Sequence, residues 1–218
     1  DRRAPDREDF VTGKADDSAV EPVDAFVEPA LPVLREADLR FAQCERLYSE
    51  RGARQLHSGP SNTRLHPRMA SVFSAGGFNI VSVAGNHGMD WGDEALFDTI
   101  DHLRGMGIQV CGGGKDIEEA RKPVIVQQNG VTVAFLAYCS VLREGYAAGP
   151  SKAGIAPMEA HTYYESLEYQ AGTPPRIVTI PHQDQLSALQ DDIAKAKQDA
   201  DVVVMSIHWG VHHFPRII

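Results

Sequence analysis

Phe78-Asn79-Ile80-Val81-Ser82-Val83-Ala84 runs into Gly85-Asn86-His87-Gly88, and a helical pattern opens at Trp91. The first seven residues are largely apolar and β-branched, and they have the length of a strand. Leu96, Ile100 and Leu103 then repeat at helical spacing, so residues 91–105 read as a helix closed by Gly105 and Gly107. A strand that stops at a short polar turn and leads into a helix is the repeating unit of an α/β fold.

The same alternation extends in both directions. Upstream, residues 1–22 are polar and aperiodic and read as a loop. Apolar positions from Val23 to Ala37 predict a helix, with an irregular start at Pro29 and Pro32. Residues 38–42 predict a short strand leading to Gln43-Cys44-Glu45. Residues 49–66 predict a surface loop, and 66–75 a helix with Pro67 in its first turn. Downstream, residues 108–111 predict a strand, Gly112-Gly113-Gly114 a tight turn, and Asp116 the start of a short helix. The strands at 123–128 and 131–138 flank Asn129-Gly130, a hairpin signal. Residues 141–181 form a long Gly/Pro/Tyr-rich excursion without period. A helix at 183–200 and an apolar strand at 201–207 follow, the latter ending at His208-Trp209-Gly210. This order predicts a mostly parallel sheet covered by helices.

Bulk properties narrow the function. The 218 residues suffice for one domain with a substantial core. A net charge of -9 argues against a nucleic-acid partner, which needs a basic face. Cys44, Cys111 and Cys139 are odd in number and widely spaced, so they suggest neither a disulfide framework nor a thiolate zinc site. No run approaches the roughly 20 apolar residues of a membrane span.

Three predicted strands stop at residues able to bind metal: Glu45, Asn86-His87 and His208. In a parallel sheet, ligand sites lie beyond the carboxyl ends of the strands, so residues distant in sequence converge there. A carboxylate, an amide oxygen and two imidazoles suit manganese, zinc or iron better than calcium. Asn86, His87 and His208 are the catalytic candidates, and the same three with Glu45 are the metal-ligand candidates. Gly85 and Gly88 flank the pair and are read as freeing the backbone to turn. Asp90 and Asp93 sit at the start of the following helix, where capping is the expected role. At most one of His212 and His213 can face the site if their segment is extended.

The strings that carry the site are also family strings. Residues 77–92, GFNIVSVAGNHGMDWG, resemble the "aGFDvvslANNHalDyG" signature of CapA-type proteins, the poly-γ-glutamate capsule synthesis family. Residues 105–108, 112–114 with 120–123, 129–136 and 154–157 match further family segments in order. Val202 to Gly210 resembles "DvvivslHwG", and Ala37 to Glu45 resembles "ADlvfgNLE". Gln43-Cys44 stands where Asn-Leu is usual, Gly85 replaces an Asn, and His212 stands where many relatives carry Glu.

The resemblance implies a metallophosphatase-like four-layer α/β/β/α sandwich, similar to calcineurin-like metallophosphoesterases and incomplete at both ends. It places residues 23–218 in that domain. It expects a Gly-Asp before Asp1 and a Gly-His-x-His after Ile218, with divalent metal ions, two of them in the longer protein. Two functions follow. One is a metal-dependent hydrolase acting on a phosphorylated substrate or an anionic polymer. The other is a non-catalytic polymer-binding or assembly factor of a membrane-associated capsule synthesis complex.

Overall fold

The computed structural model of the protein describes residues 22–56 and 64–210. Nearly all of the polar N-terminal segment, together with His212 and His213, lies outside the described residues. Strands β1 (Phe41–Gln43), β2 (Ile80–Ser82) and β3 (Gln109–Cys111) form a parallel sheet in that order. Its register sets Ala42 beside Val81 and Val81 beside Val110. All three residues of β2 are buried, as expected of a central parallel strand covered on both faces. The strands are shorter than the apolar runs suggest, because Val83 and Ala84 already belong to the turn that shapes the site.

Two short helices, α1 (Leu31–Leu34) and α2 (Ser71–Ala75), precede the long helix α3 (Gly92–Gly105). The predicted first helix is instead two 3-10 turns followed by the single turn of α1. Pro29 and Pro32 lack the N–H groups a continuous helix would use. Helix α3 buries Ala95, Leu96, Thr99, Ile100 and Leu103 along one stripe. Asp93 and Glu94 lie in its first turn and His102 and Arg104 in its last, both favourable to the helix dipole.

Beyond β4 (Gly113–Gly114) and α4 (Ile117–Arg121) comes a second sheet. In it β6 (Val131–Cys139) pairs antiparallel with β5 (Val124–Gln128) and parallel with β10 (Val202–His208). Asn129 and Gly130 join β5 to β6 with φ of 52° and 81°, the two left-handed residues of a tight hairpin turn. The single mostly parallel sheet expected from the sequence is therefore two separate three-stranded sheets, one of them mixed. Strand β6 explains why. Phe135, Ala137 and Cys139 face the core built by β2, β3 and α3, and Phe41 of β1 stacks on Phe135 at 5.8 Å. Ala134, Leu136 and Tyr138 face a second core with Leu189 and Ala196 of helix α5 (Gln183–Asp199). A strand apolar on both faces packs between layers as readily as it extends a sheet.

The 141–181 excursion contains β7 (Gly154–Ile155), which pairs with β4, and a hairpin of β8 (Ala160–Glu165) and β9 (Arg176–Pro181). The hairpin is exposed over most of its length, so no apolar alternation marked it. The triple glycine is not a plain turn either. Gly112 has φ +92°, and a Cβ there would meet Ala84 Cβ at 2.6 Å, while the next two glycines form β4.

A polar knot ties α4, β6 and α5 together. The Tyr138 hydroxyl donates to Asp192 Oδ2 at 2.7 Å, and Arg121 Nε donates to the same oxygen at 2.6 Å. Arg121 also donates to the Ala188 carbonyl oxygen at 2.8 Å. Asp192→Ala is expected to cost about 2–3 kcal/mol, because it strands a buried hydroxyl and a cation together. A lower urea midpoint at unchanged slope would register that loss.

Candidate metal centre

Strand β1 ends at Gln43, and parallel pairing continues one residue further, where Cys44 N–H donates to Ser82 O at 2.7 Å. That contact turns Glu45 out past the sheet edge, where its side chain is about half exposed. Strand β2 is followed by a tight course of turns: Gly85 N–H donates to Val83 O, Gly88 N–H to Gly85 O, and Asp90 N–H to His87 O. These turns carry Asn86 and His87, both buried. The flanking glycines act differently from the expectation, since neither takes a left-handed φ. Gly88 is needed for space: a Cβ there would lie 2.6 Å from Ile155 Cδ1 and 3.1 Å from Val83 O. His208 is the last residue of β10, paired with Cys139.

The four candidate side chains come together in two contacts. His208 Nε2 lies 3.1 Å from Asn86 Oδ1, which joins the carboxyl end of the second sheet to that of the first. His87 Nε2 lies 4.0 Å from Glu45 Oε1. Asn86 and His87 are chain neighbours, so one peptide unit links the two contacts. The other ring nitrogen of His87, Nδ1, is 2.5 Å from Asp90 Oδ2. The second oxygen of Asp90 accepts from the Tyr146 hydroxyl at 2.9 Å.

Asp90 is the residue that sequence reading misassigned. It does not cap α3, whose N-cap position is Trp91 without a side-chain cap bond. With 1% of its surface exposed, it lies behind His87. The available signal was an acid three residues after a histidine in a turn-forming stretch. Tyr146 had no signal at all, standing 56 residues from Asp90. Burial and the neighbouring Asp90 carboxylate push the Tyr146 phenol well up from its ordinary range.

Among the described residues, no three His, Cys, Asp or Glu side chains gather closely enough to hold a metal by themselves. The candidate set includes the Asn86 amide and consists of two contacting pairs, Asn86 with His208 and Glu45 with His87. Its donor chemistry fits a borderline divalent ion: one carboxylate, one amide oxygen and two imidazole nitrogens. Two ligands of one such ion, each about 2.1 Å from it, lie about 3.0–3.4 Å apart. The Asn86–His208 spacing falls in that range. Glu45 and His87 stand further apart, and the carboxylate is exposed enough to move. An imidazole whose far nitrogen rests on a carboxylate is also the usual setting of a ligating histidine.

The thiols take no part. Burial pushes Cys44 and Cys111 up to about 12 and Cys139 up to about 11. All three are free and buried. An unfolded thiol ionises near 9, so the folded state holds these protons more tightly. Their stabilisation is complete below pH 9 and is lost as pH rises toward 11 and 12. Urea midpoints are expected to fall between pH 9 and 11, and Cys139→Ala to flatten the early part of that fall.

Known proteins resemble this chain in sequence. The chain is 28% identical over 134 residues to "PGA biosynthesis protein CapA" of Bacillus subtilis, covering 61% of this chain and 28% of that protein. It is 26% identical over 155 residues to a "Probable polyglutamine synthesis accessory protein" of Mycobacterium tuberculosis, covering 67% and 35%. "Capsule biosynthesis protein CapA" of Bacillus anthracis is 23% identical over 181 residues, covering 82% and 39%. The chain thus spans about a third of the length of these curated relatives. Residues 8–217 match the family described as "Bacterial capsule synthesis protein PGA_cap", and the chain belongs to that family.

Proposed function

We propose that this chain is the core of a poly-γ-glutamate capsule synthesis protein whose strand-end cluster binds a divalent metal and hydrolyses a phosphoester or related bond. The contacts of His208 with Asn86 and of His87 with Glu45, beyond the carboxyl ends of β1 and β2 and at that of β10, support this reading. The packing of β6 between two cores supports a helix–sheet–sheet–helix order of layers, as in calcineurin-like metallophosphoesterases. Glu45, Asn86, His87 and His208 would hold the ion. A divalent ion in such a place polarises a phosphoryl oxygen and makes water acidic enough to supply hydroxide.

The residues themselves supply orientation. Asp90 and Tyr146 hold the His87 ring. Asn86 and His87 can also stabilise charge that develops on an attacked oxygen. The substrate class is an anionic polymer or a phosphorylated compound. With a net charge of -9, the protein would draw such a substrate through local positive charge at the site.

Metal content and hydrolysis of a generic phosphodiester, with and without chelator, test the proposal. Stoichiometric metal and activity abolished by chelator and restored by manganese or zinc would support it. Tight polymer binding indifferent to chelator, without hydrolysis, would assign an assembly role instead.

A further inference from the structure

The geometry points to Tyr146, which lies outside every motif singled out in the sequence, as a positioning residue that holds the Asp90 carboxylate against His87 and so keeps the ring hydrogen on Nδ1. Asp90 and Tyr146 are both buried, and the two oxygens of the carboxylate are divided between two partners. Oδ1 accepts from the Tyr146 hydroxyl at 2.9 Å, and Oδ2 lies 2.5 Å from His87 Nδ1. A carboxylate can only accept, so His87 Nδ1 carries the hydrogen. In the neutral ring the lone pair is then on Nε2, the atom that faces Glu45. With Oδ1 occupied by Tyr146, the carboxylate cannot swing about its last bond, and Oδ2 stays on His87.

Tyr146 is itself held in place. Its N–H donates to Arg143 O at 3.0 Å and its carbonyl accepts from Ile155 N–H at 3.0 Å. Gly154 leaves no room for a side chain, since a Cβ there would lie 2.5 Å from Tyr146 O. Ile155 presses on Gly88, next to His87. The segment between β6 and β8 therefore grips the His87 turn from two sides, which gives the first part of the long excursion a task. The weight of this tautomer for ligand binding rests on the metal-site reading above; the tautomer itself does not.

Nitrogen-15 NMR of the His87 ring in the metal-free protein tests it. Wild type is expected to show hydrogen on Nδ1. In Asp90→Asn, a Tyr146 hydroxyl that goes on donating as it does to Oδ1 takes the amide oxygen and turns the amide N–H toward His87 Nδ1, so the hydrogen is expected to move to Nε2. In Asp90→Asn with Tyr146→Phe the amide is free to turn back, and the Nδ1–H form is expected to return, a tenfold or greater shift in the tautomer ratio. Identical tautomers in the single and double variants would overturn the inference. Tyr146→Phe alone keeps the packed ring and so disturbs the fold least. It is expected to weaken manganese binding by about tenfold in calorimetry, the usual effect of losing an outer-shell partner. A wild type that binds no manganese would sink the metal-site reading alone and leave the tautomer result standing.

Discussion

Asp90→Ala is expected to destabilise the protein by about 3–5 kcal/mol, more than any other single change at this edge. The substitution removes the shared acceptor of two buried donors, the Tyr146 hydroxyl and the His87 ring. Each donor left unsatisfied costs about 1–3 kcal/mol, and the space vacated by the carboxylate adds to that. Water cannot easily replace the carboxylate, because Asp90, His87 and Tyr146 are all buried. Asp90→Asn should cost less, since an amide still satisfies the hydroxyl. Urea denaturation of the three proteins measures the difference. A loss below about 1 kcal/mol for Asp90→Ala would mean that the His87–Asp90–Tyr146 arrangement contributes little to holding the turn.

His208→Ala is expected to have the opposite profile. The side chain sits at the end of a strand at the edge of the described sheet, is only partly buried and, among the described residues, makes one side-chain hydrogen-bond contact, to Asn86. Its removal should cost about 1 kcal/mol of stability or less. On the metal-site reading it takes away an imidazole ligand, and chelator-sensitive hydrolysis should fall about 100-fold or more, equivalent to about 2.7 kcal/mol of transition-state stabilisation. Activity and urea midpoint measured on the same preparation separate the two effects. A large drop in both would make His208 a structural residue. Unchanged activity would put the chemistry elsewhere.

The residues of the candidate site could be picked out from local patterns, for a definite reason. The strands followed by Glu45 and by Asn86-His87, and the strand ending in His208, announce themselves by short apolar runs stopped by polar residues, and a parallel arrangement puts such ends along one edge. The hairpin at Asn129-Gly130 was equally legible, because two consecutive left-handed residues demand that chemistry. Other features left no local trace. Asp90 read as a helix cap because an acid before a helix commonly is one, and only its burial behind His87 reveals its partner. The hairpin of β8 and β9 is exposed on most residues, so its strands carry no inside and outside to alternate.

From its residues alone the chain determined the α/β class, the positions of the main strands and helices, and which side chains stand at the strand ends. Those properties follow from backbone preference and hydrophobic period, which act over a few residues. Tertiary structure decided that β6 lies between two cores instead of extending one sheet, that His208 reaches Asn86 across 122 residues, and that Tyr146 supports His87 through Asp90. Contacts of that kind depend on which faces meet after folding, and side-chain burial and hydrogen-bond geometry between distant segments have no counterpart in local sequence.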